Sequence, residues 1–137
     1  MSPAEALVRG AGALHLLQIP GMYLTRRILG IPSLLANSAP FQRRLTIAFG
    51  IGVISYVVGT GCINLCFTGS VIASDAGRAL SLLQACAWSA RAVQQRYSLG
   101  PCWPAGGRWL HLALSSLYSL LALCYLALSF VLAPIWS

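Results

Sequence analysis

The sequence predicts an all-α integral membrane protein built of two transmembrane helices plus amphipathic or interfacial helices. Three observations lead there. Two long stretches, Leu45 to Ala73 and Trp109 to Ala133, carry no charged residue. Hydrophobic residues make up 58% of the 137 and charged ones only 8%, against roughly 25% charged in an average soluble domain. Arginines and tryptophans, the residues that mark head-group zones, stand at the edges of the apolar stretches.

Residues 1–40 read as an N-terminal interfacial or partner-bound helical segment. Ser2-Pro3-Ala4-Glu5 is a capping box with proline at the first helical position, so a helix starts there. Pro20-Gly21 removes a donor and relaxes the backbone, which predicts a stop near Gln18. The uncharged run from Ala11 to Thr25 holds His15, Gln18 and Pro20 and falls short of the roughly 20 residues needed to cross hydrocarbon. Thr25-Arg26-Arg27 invites a twin-arginine reading, but Pro32 breaks the apolar run behind it. The arginine-bearing, acid-poor N-terminal third resembles a mitochondrial targeting segment, one expected to be retained.

Residues 41–74 read as the first transmembrane helix, bounded by Arg43 and Arg44 on one side and by Asp75 and Arg78 on the other. Gly52, Ser55, Gly59, Cys62, Cys66, Gly69 and Ala73 recur at three- and four-residue steps and form a stripe of small side chains. Such a stripe lets another helix approach closely, the contact that replaces hydrophobic force in lipid. Asn64, near the middle of this span, needs a partner for its amide and predicts an interhelical hydrogen bond.

Residues 75–97 read as an amphipathic helix capped by Ser74 or Asp75. Leu82, Leu83, Cys86, Ala87, Ala90 and Val93 share one side, and Arg78, Ser81, Gln84, Arg91 and Gln95 the other. The rival reading is a short third span with its flanking arginines snorkelling. Residues 98–108, rich in glycine and proline, read as a loop.

Residues 109–137 supply the second transmembrane helix and a C-terminal tail, with Trp103 and Trp109 anchoring one end and Trp136 the other. Trp109 to Trp136 spans about 40 Å as a helix, the thickness of a bilayer with its head groups. Leu110, Leu114, Leu117, Leu121, Cys124, Leu128 and Val131 form a heptad-like seam, and Ser115, Ser119, Ala122, Ser129 and Ala133 a broken small stripe.

All nine basic residues are arginine and the two acids are Glu5 and Asp75, giving a net charge of +7. Because the arginines edge apolar segments instead of sharing a polar face, the charge suits anionic lipid and not nucleic acid. Arg43, Arg44, Arg78 and Arg108 are the expected head-group contacts, the bound lipid being phospholipid, cardiolipin if the membrane is mitochondrial. No other cofactor is expected.

The five cysteines are odd in number and sit mostly in apolar helices, so they do not read as a disulfide framework; Cys102 alone falls in a loop. Cys62 and Cys66 lie one turn apart without the further ligands of a tetrahedral metal site. His15 and His111 are lone histidines, short of a haem or metal set. The two carboxylates stand at helix starts, where they cap, which speaks against an enzyme. Proton-coupled transport usually places an ionisable residue within a span, and neither firm span is read as having one, which speaks against a pump or an antiporter.

Two functions remain. The first is a noncatalytic accessory subunit packed against other membrane subunits of a hetero-oligomeric complex, in a mitochondrial inner-membrane respiratory-chain or ATP-synthase assembly. The second is a small homo-oligomeric channel or carrier whose path is lined by Tyr56, Asn64 and the serines of the second span.

Overall fold

The computed structural model describes residues 1–131, which are helical almost throughout and contain no strand. The expectations for Ala133, Trp136 and the Cys102 thiol lie outside what is described. Helix α1 runs Pro3–Ile28, α2 Ile31–Ala36, α3 Pro40–Cys66, α4 Thr68–Ala73, α5 Asp75–Val93 and α6 Arg108–Val131. A π-helical turn, Gln94–Leu99, and two short 3-10 turns connect α5 to α6, where the sequence read as plain loop. Two helices are long and apolar enough to cross a membrane: α3, and α6 with the 3-10 turn that leads into it.

The capping box forms as read: Glu5 N–H donates to Ser2 Oγ at 3.2 Å and Ser2 N–H to the Glu5 carboxylate at 2.7 Å. The stop expected near Gln18 does not occur. Helix α1 carries Pro20 in its interior and continues for two more turns. The lost bond and ring clash cost about 3 kcal/mol, and packing on α6 offsets them: Leu114 covers Gly21, and Ile28 lies over Gly107.

Helix α3 also departs from the reading, because the first span does not continue unbroken to residue 74. Phe67 leaves helical geometry at φ −118°, ψ 31°, and the Thr68 hydroxyl donates to the Asn64 carbonyl at 2.6 Å. A threonine that competes for that carbonyl weakens the ladder there, and α4 resumes as a separate turn. Gly77 closes the turn from α4 into α5, where the Val71 carbonyl lies so near that no Cβ fits.

The four long helices run alternately up and down. Gly12 of α1 crosses Gly61 of α3, Tyr56 of α3 meets Gln84 of α5, and Trp88 of α5 stacks on Tyr118 of α6. Helices α1 and α5 therefore lie along the two candidate spans and not across their ends, as interfacial helices would. This order places Arg26, Arg27, Arg43, Arg44, Arg91, Arg96 and Arg108 at one end of the bundle. At the other, Arg9 and Arg78 stand with Glu5 and Asp75, so the whole net charge of +7 sits at the first end.

The bundle encloses a set of polar side chains within an apolar core, and its outside is apolar. His15, Gln18, Thr60, Asn64, Ser81, Gln84 and Gln95 are buried, whereas Phe49, Leu83, Leu112, Leu123 and Phe130 stand at least 60% exposed. Helix α5 shows this arrangement most clearly: Ser81 and Gln84 from its polar side face inward, and Leu82, Leu83, Cys86, Ala87, Ala90 and Val93 face out.

Candidate functional site

The polar interior is built at helical spacing. Ala4, Val8, Ala11, His15 and Gln18 fall on one face of α1, so its histidine and glutamine enter the core together. His15 Nδ1 lies 2.8 Å from the Ala11 carbonyl, which fixes the proton on Nδ1 and leaves Nε2 a bare acceptor. Its ring stands edge-on to Trp88 at 5.1 Å and to Tyr125 at 5.7 Å. Asn64 Nδ2 donates to the Tyr125 hydroxyl at 2.6 Å. Gln84 Oε1 accepts twice, from the Tyr56 hydroxyl at 2.5 Å and from Trp88 Nε1 at 3.0 Å. One seam thus ties all four long helices through polar groups whose alternative, in a dry interior, is to go unmatched.

Two buried side chains in this seam keep an unmatched atom. His15 Nε2 and Gln18 Nε2 have no hydrogen-bond partner, although each residue is at most 2% exposed.

Above the seam, toward the arginine end, the bundle opens. Every residue from Phe41 to Tyr56 is exposed, so the first half of α3 stands away from its neighbours. The resulting cleft has a volume of about 450 Å³ and is walled by Gln18, Phe49, Tyr56, Trp88, Arg91 and Tyr118 among others. Arg91 lies over the Tyr118 ring at 5.3 Å and donates to Gln94 Oε1 at 2.7 Å. A second groove between α5 and α6, about 430 Å³, is lined by Arg96, His111, Ser115, Ser116 and Ser119.

No family model, curated protein or solved structure matches this chain. Its function has to be read from the site alone.

The residues singled out from the sequence divide sharply. Asn64 is buried and makes the interhelical hydrogen bond expected of it. Gly52, Ser55, Cys62, Cys66 and Gly69 are exposed and Gly59 half-buried, and a Cβ on Gly52, Gly59 or Gly69 would meet nothing within 4 Å. Among the described residues no helix is packed closely on the glycines of this stripe. The small residues that do bring helices together are Gly12 and Gly61, where a Cβ on either would stand about 3 Å from the opposing helix. Arg43, Arg44 and Arg108 are exposed at one end, and Arg78 is half-buried at the other.

In α6, Leu110, Leu114, Leu121 and Leu128 of the expected seam are buried, joined by Tyr118 and Tyr125. Gln18, Gln84, Trp88 and the two tyrosines were not picked out from the sequence. Their signal was the spacing of polar residues against small ones, which helix wheels weighted for soluble proteins assign to the outside.

Proposed function

We propose that this chain is a noncatalytic accessory subunit of a multi-subunit membrane complex, embedded as a four-helix bundle with its arginine end on the inner (cytoplasmic or matrix) side of the membrane. The apolar outer surface, with amides buried inside, supports lipid as the surroundings, since exposed leucines and phenylalanines need no water there and buried amides need partners. The burial of the spans points the same way. Only 11% of the α3 window and 39% of the α6 window is buried, whereas the core helix of a soluble protein is mostly buried. Concentration of the net charge at one end agrees with the positive-inside rule for a bundle in which α1 and α5, less apolar than the two candidate spans, cross beside them.

The observation that carries the accessory role is the outer face of α3. Among the described residues no helix is packed closely on the glycines of its stripe of Gly52, Ser55, Gly59, Cys62, Cys66 and Gly69, and small side chains at helical spacing admit a second helix at close range. That helix belongs to another membrane subunit. The arginine-bearing, acid-poor N-terminal third and the overall basic charge favour the mitochondrial inner membrane, in a respiratory-chain or ATP-synthase assembly, with anionic phospholipid such as cardiolipin on Arg43, Arg44 and Arg108.

A second reading, a small homo-oligomeric channel or carrier, draws on the outward groove of His111, Ser115, Ser116 and Ser119. Asn64, which that path requires, is spent on Tyr125 inside the bundle. Native purification in mild detergent, with identification of all attached chains, separates the two. A stoichiometric set of different membrane subunits supports the accessory role; an oligomer of this chain alone replaces it with the channel.

A further inference from the structure

We infer that the cleft between α1, α3 and α5 is a binding site for a long-chain carboxylate, a fatty acid, whose head group is held by Arg91 and Gln18. The site rests on the bilayer placement proposed above, and it is separate from the surface arginines.

The two donors face each other at one level. His15 of α1 packs on Trp88 of α5, and both helices run toward the arginine end, so three residues further on Gln18 and Arg91 stand at the same height. Both line the cleft. Gln18 is 2% exposed and its Nε2 has no partner, so an unmatched donor lies buried in the cleft wall, where a turn of the side chain brings it to a ligand oxygen. An unmatched buried donor of this kind is destabilising, and a ligand oxygen recovers that cost.

Arg91 asks for an anion. Among the described residues both side-chain carboxylates, Glu5 and Asp75, lie at the opposite end of the bundle. The Arg91 guanidinium therefore has only the Tyr118 ring and the neutral Gln94 amide beside it. A planar carboxylate matches a guanidinium with two parallel hydrogen bonds.

Depth selects the fatty acid over a phospholipid. Tyr56 of α3 meets Gln84 of α5 in antiparallel register, so Arg91 is level with Phe49. That is five residues beyond Arg44, or about 7.5 Å deeper than the outer arginine belt. A phosphate held at the belt does not reach this level, whereas a single-chain carboxylate does. Phe49, Trp88 and Tyr118 then line the acyl chain, and a cleft of about 450 Å³ lies in the size range of small-molecule sites.

The test is a titration of radiolabelled oleate into the full-length protein in neutral phosphatidylcholine nanodiscs. One oleate per chain is expected, with affinity reduced roughly tenfold or more in Arg91→Gln and several-fold in Gln18→Leu, and unchanged in Arg44→Gln. Gln18→Glu supplies the carboxylate from within the chain; it should fold at least as well as wild type and bind no oleate. Equal binding by wild type, Arg91→Gln and Gln18→Glu overturns the assignment, as does displacement of oleate by phosphatidylglycerol. Flotation of the same proteins with vesicles reports the placement separately. Protein that floats but binds no oleate removes the cleft site alone, and protein that does not float removes the membrane reading and the site with it.

Discussion

Asn64 and Tyr125 join the two most apolar helices of the chain through a single buried contact, the Asn64 amide donating to the tyrosine hydroxyl at 2.6 Å. Neither group has water within reach, since Asn64 is 1% and Tyr125 2% exposed. Polar pairs between membrane helices contribute about 0.6 kcal/mol on average and up to about 1.7. Asn64→Leu and Tyr125→Phe should each destabilise the bundle, and a double-mutant cycle should return a coupling of about 1 kcal/mol. Reversible unfolding in mixed micelles measures it; additive single effects would mean that the pair contributes no coupling.

The crossing of α1 and α3 depends on two glycines, not on the stripe that sequence spacing emphasises. Gly61→Ile would drive a side chain into Leu16, and Gly12→Leu one into Leu65 and Asn64. Each should cost about 1–3 kcal/mol by overpacking. Gly52→Ile and Gly59→Ile should leave the isolated chain's unfolding midpoint unchanged while loosening its association with partner subunits in co-purification. The opposite pattern would place the intermolecular contact elsewhere.

Gly77 offers a sharper local test. Its position against the Val71 carbonyl admits no Cβ, so Gly77→Ala should open the turn between α4 and α5 and lower the thermal midpoint by several degrees. Ala79→Gly, on the exposed side of the same helix, should act only through helix propensity, about 1 kcal/mol.

The proposed four crossings make a prediction about sides. In a background without native cysteines, Ser38→Cys and Gly106→Cys should react with a membrane-impermeant thiol reagent from one side of sealed vesicles. Asp75→Cys should react only from the other, since α3 and α5 each traverse the bundle between these points. Labelling of Gly106→Cys together with Asp75→Cys, from the side opposite Ser38→Cys, would return α5 to the surface as an interfacial helix.

Lipid at the arginine end should depend on the exposed pair at the start of α3. Arg43→Ala with Arg44→Ala should reduce co-purifying anionic phospholipid, because each basic side chain near an anionic surface is worth about 1 kcal/mol. Lipid analysis of the purified protein reads the effect, and unchanged phospholipid content would move the contact away from α3.

Helix starts and the two apolar spans were legible because local chemistry dictates them. Ser2 and Glu5 satisfy each other's amides whatever lies beyond, and an uncharged run such as Leu45 to Cys66 is apolar all round. Asn64 was legible for the same reason, as an amide in such a run needs a partner. Which residue would answer it was not, because Tyr125 comes from a distant turn of α6.

What the tertiary structure alone decided is which face of each helix turns inward and how far each helix runs. Pro20 sits inside α1 because packing on α6 outweighs a local penalty, and no local pattern carries that comparison. The polar side of α5 faces inward because Gln84 finds Tyr56 and Trp88 there. The cleft with Gln18 and Arg91 exists because α3 leaves the bundle above Val57. Composition and periodicity determine the segments; the balance of contacts between segments, each a sum over residues far apart in the chain, determines the site.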